Sequence, residues 1–123
     1  MRETGSAIEN TRRYLRTVAR FLTKDPAGKV LLALIGEAHH DPEVARVFCE
    51  RYLEPQRRSE REMLRHGVSS GELSAELDVD AALDALDGPV FYRALTGGSI
   101  PRTFIDRLIA DNLERHRAQR PGA

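Results

Sequence analysis

Residues 71–113 read GELSAELDVDAALDALDGPVFYRALTGGSIPRTFIDRLIADNL, and this stretch decides the fold. Between residues 82 and 95 apolar side chains recur at spacings of one, three and four, the pattern of one face of an α-helix. Asp78 and Asp80 lie just before this run, where a carboxylate can accept hydrogen bonds from the free N–H groups of a helix start. Gly97-Gly98 predicts the end of the helix, because glycine adopts the left-handed conformation there without Cβ strain.

A second helix is predicted directly after these glycines. Ser99 is expected near its cap and Pro101 in its first turn, where the missing N–H of proline costs no hydrogen bond. The helical stripe behind them consists of Phe104, Ile105, Leu108, Ile109 and Leu113. The stretch therefore predicts a pair of consecutive helices joined by a tight turn.

A glycine and a proline interrupt the first of these two helices in its middle. Pro89 cannot donate to the carbonyl of Ala85, so a kink is expected, and Gly88 leaves room for another backbone to approach. The alternative is a helix that ends at Asp87 and restarts at Pro89. The apolar residues after Pro89 keep the phase of those before it, which favours a kinked but continuous helix.

The order and spacing of several short pieces resemble the C-terminal domain of tetracycline-repressor-like (TetR family) transcriptional regulators. In chain order the pieces are Gly71-Glu72-Leu73, Asp78-Val79-Asp80, Gly88-Pro89-Val90-Phe91-Tyr92-Arg93, Thr96-Gly97 and residues 101–113. Two upstream pieces, Asp41-Pro42-Glu43 and Glu54-Pro55-Gln56-Arg57-Arg58, fit one large subgroup of that family. The likeness covers roughly residues 4–113.

Length and composition favour one soluble domain. The chain has 123 residues, of which 41% are hydrophobic and 31% charged, enough for a sizeable core. With 19 basic and 19 acidic side chains the formal net charge is zero, so the basic excess typical of a DNA-binding module is missing. No apolar run approaches the roughly 20 residues that span a bilayer, and the N-terminus lacks an apolar signal core. We therefore expect a cytoplasmic protein with no membrane partner.

Three further helices are predicted upstream. They cover residues 7–24, 27–39 and about 42–68, with Asp25 and Asp41 as caps of the second and third. The six-residue run from Val30 to Ile35 is apolar almost all round and predicts a buried helix, in which Gly36 permits close packing. A buried strand is the alternative for this run, but no partner strand appears elsewhere.

The third helix is expected to be interrupted near its middle. Pro55 must kink or break it, because the ring clashes with the preceding turn. Residues 56–62 are nearly all polar and are expected to lie in solvent. The residues from Glu114 onward carry charge, proline and glycine and are expected to fray.

Five helices with short joints predict an all-α domain. We expect a linker over residues 1–6, a regulatory domain over residues 7–117 and a disordered tail over residues 118–123. The resemblance implies the five-helix architecture of tetracycline-repressor C-terminal domains. In these proteins the last two helices pair with their copies in a second subunit and form a dimeric four-helix bundle.

Residues that carry chemistry elsewhere do not form an enzyme signature in this sequence. His39-His40 invites a metal site, but adjacent histidines on a helix point about 100° apart, and a histidine pair at a helix end is the simpler interpretation. Cys49 is a possible redox thiol and more often a small hydrophobe. Asp84 and Asp87 are interpreted as surface charges at helical spacing. We expect no enzymatic activity, no metal and no cofactor.

The resemblance implies a pocket for a small apolar or amphipathic effector and a homodimer. The candidate ligand-binding residues are Phe21, Phe48, Met63, Phe91 and Tyr92, each of which could equally be simple core. The candidate dimer-interface residues are Gly88, Pro89, Phe104, Ile105, Leu108 and Ile109. The alternative function is an all-α dimerisation module without a small ligand, and a closed apolar cavity would discriminate between the two.

The family's N-terminal helix-turn-helix has no counterpart in this sequence, because the recognisable match begins within a few residues of Met1. The chain is either a truncated product or a natural chain that keeps the regulatory half. DNA is therefore a partner only if a helix-turn-helix is present upstream in a longer protein. Without that unit the chain is expected to bind effector and to dimerise, and not to bind DNA itself.

Overall fold

The computed structural model describes residues 5–119, and their architecture is helical. The α-helices are α1 Ala7–Lys24, α2 Pro26–Ala38, α3 Pro42–Phe48, α4 Glu54–Ser69, α5 Val79–Leu95 and α6 Arg102–Asn112. A π-helical turn, Cys49–Leu53, joins α3 to α4 without a break, and a 3₁₀ turn, Glu114–His116, follows α6. The third predicted helix is thus one helical segment in two parts, and the predicted all-α class is confirmed. The expected linker and tail lie mostly outside the described residues.

Three predicted helix starts are confirmed by side-chain caps. Asp25, Asp41 and Asp78 each accept a hydrogen bond from a backbone N–H two or three residues further on, at 2.9, 3.0 and 3.0 Å. Each bond satisfies an N–H that has no partner within its own helix. Asp80, the second candidate cap of α5, instead forms an ion pair with Arg61 of α4 at 2.9 Å.

Helix α5 runs unbroken through Pro89, so the continuous helix is confirmed and the restart at Pro89 is wrong. Its end is also as predicted, because Gly97 has a φ of +76° and the Gly98 N–H donates to the Arg93 carbonyl at 2.7 Å. Only glycine adopts this left-handed conformation readily, which fixes the turn into α6.

The start of α6 differs from the prediction. Pro101 is the residue before the first helical turn, and no side chain caps the helix, so the cap expected at Ser99 is wrong. The Ser99 carbonyl instead accepts a hydrogen bond from the Arg93 guanidinium at 3.2 Å. The proline ring, which restricts the residue before it to an extended conformation, places the helix boundary here.

The π-helical turn accommodates the interior proline of the third predicted helix. Pro55 lies in the first turn of α4, directly after this turn. The Glu54 N–H donates to the carbonyl of Cys49, five residues back, which is the π-helical pattern. The extra residue in the turn lets the helix continue past a proline that would otherwise clash with the turn before it.

Helix α2 is less enclosed than its sequence predicts. Among its residues only Gly28 and Leu31 are buried, and 61% of Val30 is exposed, so the expectation of a helix covered all round is wrong for the single chain. The close approach expected at Gly36 is made by Gly28, since a Cβ built on Gly28 would lie 1.9 Å from the carbonyl oxygen of Phe21. Within residues 5–119, nothing lies within 4 Å of a Cβ built on Gly36.

Helix α1 is the centre of the domain and contacts α2, α4, α5 and α6. It presents Ile8, Leu15 and Leu22 to the core, at the spacing of seven residues that keeps them on one face. Apolar residues of the other helices and of the loop after α4 enclose this face: Leu31, Phe48, Leu64, Leu73, Leu83, Leu86, Val90, Ile105, Ile109 and Leu113.

The loop after α4 closes the start of α1. The carboxylate of Glu72 accepts hydrogen bonds from the backbone N–H groups of Ala7 and Ile8, at 2.7 and 3.2 Å, and from the Ser6 hydroxyl at 2.7 Å. Partial burial acts to raise the pKa of Glu72, but these hydrogen bonds outweigh it and hold the pKa below its ordinary value. A residue 66 positions away thus completes the cap of the first helix.

The segment after α6 is held by the same loop. Arg117 forms a β-bridge with Leu73, the Ser74 N–H donates to the His116 carbonyl at 2.8 Å, and the Ala118 N–H donates to the Glu72 carbonyl at 3.0 Å. The expected fraying from Glu114 is therefore wrong as far as Ala118, because backbone hydrogen bonds tie this segment to the domain.

Candidate functional site

A cavity of about 470 Å³ opens between α1, α4 and α5, beneath the end of α2 and the α3–α4 junction. This volume is within the range of pockets that hold small molecules. Its walls are formed by Tyr14, Val18, Ile35, Phe48, Leu53, Gln56, Arg57, Glu60, Asp84, Asp87, Gly88, Phe91 and Leu95. The cavity is therefore a junction of every helix except α6.

One side of the cavity is apolar. Val18 of α1 and Ile35 of α2 face the aromatic residues Phe48 of α3 and Phe91 of α5. Phe48 is buried, whereas the other three are half-buried, because the cavity leaves part of each side chain without a protein neighbour. Such a wall is suited to the apolar body of a ligand.

The other side of the cavity carries charge. Arg57 of α4 forms ion pairs with two carboxylates of α5, with Asp84 in close contact and with Asp87 at 3.3 Å. The two aspartates are three residues apart and lie on the same face of α5. The interpretation of both as surface charges is wrong for Asp87, whose side chain is only 18% exposed.

Glu60 is the most unusual residue of the cavity wall. It is 4% exposed, so the expectation that residues 56–62 lie in solvent is wrong at this position. Burial, together with the adjacent Asp87 carboxyl, raises the pKa of Glu60 well above its ordinary value near 4.5. Burial also raises the pKa of Asp87, although its neighbours Glu60 and Arg57 act against this. Glu60 is thus protonated in the empty cavity near neutral pH.

Tyr14 of α1 adjoins the acidic side of the cavity, which consists of Arg57, Glu60, Asp84 and Asp87. Burial and the adjacent Glu60 raise the pKa of its hydroxyl, which stays protonated. Among the described residues, neither the Tyr14 hydroxyl nor Oε2 of Glu60 has a hydrogen-bond partner of normal geometry. Buried polar atoms are usually satisfied, so two unsatisfied atoms on one cavity wall mark a place where a ligand group can bind.

The five predicted ligand-binding residues are placed differently from one another. Phe48 and Phe91 line the cavity. Phe21 lies on a separate surface groove of about 370 Å³. Met63 is half-buried on α4 away from the cavity lining, and Tyr92 is 69% exposed on the outer face of α5.

The six predicted interface residues also separate into groups. Ile105 and Ile109 are buried inside the chain and belong to its core. Phe104 is half-buried under the Arg93 guanidinium, whose carbon lies 3.7 Å from the ring centroid. The remaining three are less enclosed: Gly88 is exposed and borders the cavity, and Pro89 and Leu108 are half-buried.

Comparison with known proteins agrees with this architecture. A family profile described as "Tetracyclin repressor-like, C-terminal domain" matches residues 1–111, which is most of the chain. The chain belongs to this family. The resemblance of short sequence pieces and the fold of the described residues therefore lead to the same family, that of tetracycline-repressor-like transcriptional regulators.

Two longer proteins are similar to this tetracycline-repressor-like domain. One is the uncharacterized HTH-type transcriptional regulator YdeS of Bacillus subtilis (strain 168), 32% identical over 108 residues, which are 87% of this chain and 54% of that protein. The other is a crystal structure of the TetR family transcription regulator SCO0332, 28% identical, with a TM-score of 0.83 over 89% of this chain and 61% of that one. The chain thus spans about half the length of the curated relative it matches.

The structure of this family member also bears on two broader expectations. None of the helices within residues 5–119 has both the length and the apolarity to cross a bilayer. Within the same residues, no cluster of three or more His, Cys, Asp and Glu side chains is arranged to hold a metal ion.

Sequence reasoning missed Tyr14, Arg57 and Glu60 as wall residues. Glu60 lies four residues before the buried Leu64, and this spacing places it on the inward face of α4. The helical spacing therefore indicated that Glu60 is buried, but the surrounding residues are polar, and the whole stretch was interpreted as exposed.

We expect Glu60→Gln to raise the free energy of unfolding by about 1–3 kcal/mol at pH 8 and hardly at all at pH 5. The folded protein holds a proton on Glu60 that the unfolded chain releases above its ordinary pKa, so wild-type stability falls as pH rises through this window. Gln is neutral throughout. Urea denaturation at both pH values measures the difference. Glu62→Gln, on the exposed side of the same helix, serves as the control and should have little effect at either pH.

An equal loss of stability in Glu60→Gln at pH 5 and pH 8 would contradict this assignment. It would mean that Glu60 is ionised in the folded protein and that its carboxylate stabilises the fold at both pH values.

Proposed function

We propose that this chain is the effector-binding and dimerisation domain of a tetracycline-repressor-like transcriptional regulator. The observation that carries the proposal is the cavity of about 470 Å³ with Phe48 and Phe91 on its apolar side. Its size and composition fit a small apolar or amphipathic molecule. Because α1, α4 and α5 all contribute to its walls, a bound molecule would alter how these helices pack on one another.

In a complete regulator this packing change is the means of control. A ligand shifts a conformational equilibrium only by the difference in its affinity for the two states. The cavity adjoins α1, the first helix of the domain, so a helix-turn-helix upstream in a longer protein would be connected directly to the element that senses the ligand. We infer that effector occupancy changes the position of α1 and, through it, the spacing of two DNA-binding units.

We also infer that the chain itself does not bind duplex DNA specifically. Its formal net charge is zero. Several arginines form ion pairs within the domain: Arg57 and Arg61 pair with aspartates of α5, and Arg12 pairs with Glu114 in close contact. These three arginines are neutralised by acids of the same domain, and no net positive charge favours a phosphate backbone.

The dimer is supported by apolar side chains that the single chain leaves uncovered. Tyr92 is 69% exposed on α5, and Leu108 is half-buried on α6. A two-fold contact between α5–α6 pairs would cover these side chains.

Binding of N-phenyl-1-naphthylamine tests the effector site, because the fluorescence of this neutral apolar probe rises when it leaves water. We expect saturable binding of one probe per chain. Val18→Trp adds bulk to the cavity wall and should weaken binding about tenfold or more, since overfilling a packed site costs roughly 1–3 kcal/mol. Val30→Trp places the same side chain on the exposed face of α2 and should leave the affinity unchanged.

Two results would count against an effector site here. One is the absence of saturable probe binding to the wild type. The other is equal binding by the wild type and Val18→Trp, which would place the probe elsewhere on the surface.

A further inference from the structure

The acidic side of the cavity has more acid than base. Among the described residues that line the cavity, Arg57 is the one cation, and Glu60, Asp84 and Asp87 are the acids. Arg57 is already engaged by Asp84 and Asp87 through two of its nitrogens. Glu60 therefore has no cation of its own.

Glu60 is also the acid that is least able to use water. Only 4% of Glu60 is exposed, and its Oε2 atom has no hydrogen-bond partner of normal geometry among the described residues. The Tyr14 hydroxyl adjoins Glu60 and, within residues 5–119, also makes no hydrogen bond of normal geometry. An unsatisfied buried polar group costs roughly 1–3 kcal/mol, and more when it is charged. A ligand that supplies a positive hydrogen-bond donor here would remove that cost.

We propose that the effector of this cavity is an amphipathic amine, with an ammonium group that pairs with the Glu60 carboxylate and an apolar body between Phe48 and Phe91. This inference rests on the proposed effector site. An ammonium group donates three hydrogen bonds and matches the excess of acid over base at this wall. The aromatic faces of Phe48 and Phe91 tolerate a nearby cation, whereas an anionic head group would be repelled by Asp84 and Asp87.

The charged groups that face Glu60 make such binding release a proton. Tyr14 of α1 faces it as a neutral hydroxyl, Asp84 and Asp87 of α5 as acids, and Arg57 of α4 as a cation that they already occupy. In the empty cavity Glu60 carries a proton. When an ammonium group arrives, the carboxylate form is stabilised and the Glu60 proton passes to solvent. Affinity for an amine should therefore rise with pH.

A matched set of ten-carbon competitors tests the inference. Decylamine, decanol and decanoate are titrated against bound N-phenyl-1-naphthylamine, so that only the head group differs. We expect decylamine to displace the probe at about tenfold lower concentration than decanol, the gain of a charge-assisted hydrogen bond in a buried site, with decanoate weakest. Decylamine stays charged throughout because an alkylammonium group has a pKa of about 10.4. Because each bound decylamine releases one proton, its affinity should rise up to about a hundredfold between pH 6 and pH 8.

Two variants test whether Glu60 is the side chain that causes the preference for the amine. Glu60→Gln should abolish both the preference for decylamine over decanol and the pH dependence of decylamine binding. Glu62→Gln, exposed on the same helix, should behave as wild type. Far-UV circular dichroism checks that both variants are folded.

The outcomes separate this inference from the proposed function. If the probe does not bind, both are overturned. If the probe binds but decanol or decanoate competes as well as decylamine, or if Glu60→Gln keeps the preference for decylamine, only the ammonium assignment is overturned.

Discussion

Leu108→Glu is expected to convert a dimer of this chain into folded monomers of 13.8 kDa. Leu108 is half-buried on α6 at the edge of the core, so a glutamate there would be only partly desolvated in the monomer. In a two-fold interface two copies of the charge would be buried without partners, at a cost of about 3 kcal/mol or more per dimer. That corresponds to a rise of about a hundredfold or more in the dissociation constant.

Analytical ultracentrifugation at micromolar concentration measures this directly. Thr103→Glu is the matched control, since Thr103 is exposed on the same helix. Far-UV circular dichroism shows whether each variant is still helical. A wild type that sediments as a monomer, or a Leu108→Glu dimer of unchanged affinity, would show that α5 and α6 do not form the interface.

Gly28→Ala is expected to lower the free energy of unfolding by about 3 kcal/mol or more, which is unusually large for the addition of one methyl group. The new Cβ would lie 1.9 Å from the carbonyl oxygen of Phe21 and 2.9 Å from the Cα of Leu22. Both are backbone atoms, so relief requires α1 and α2 to move apart.

Gly36→Ala in the same helix gives the opposite expectation. A Cβ there meets none of the described residues within 4 Å, and replacing glycine by alanine inside a helix stabilises the helix by about 0.5–1 kcal/mol. Urea denaturation of both variants compares one substitution in two environments. Equal effects at the two positions would mean that α1 and α2 are not in the close contact described.

The backbone of this domain was largely predictable because its signals are local. A cap such as Asp25, Asp41 or Asp78 acts on N–H groups two or three residues away, and Gly97 acts on the turn it belongs to. The phase of apolar residues across Pro89 correctly predicted a continuous α5. Each of these features can be seen in a short window of sequence.

The cavity wall was less predictable because burial of a charged side chain depends on other helices. Glu60 is buried because residues of α1 and α5 pack against it, and the polar sequence around Glu60 does not indicate that contact. The two glycines of α2 are a second example of a feature that depends on another helix. Gly28 and Gly36 look alike in the sequence, and only the position of α1 shows that a side chain at Gly28 would clash. Phe48 and Phe91 were predicted through the family resemblance, which carries such long-range information.

A tryptophan placed on the cavity wall gives the most direct test of ligand entry, because the chain has no tryptophan of its own. Phe91→Trp puts the indole on the wall, and Tyr92→Trp puts it one residue away on the 69% exposed outer face of α5. Both are titrated with decanol and with decylamine at pH 8. We predict a saturable shift of emission wavelength in Phe91→Trp and none in Tyr92→Trp. Emission that stays unchanged in Phe91→Trp, or shifts equally in both, would contradict a ligand site between α1, α4 and α5.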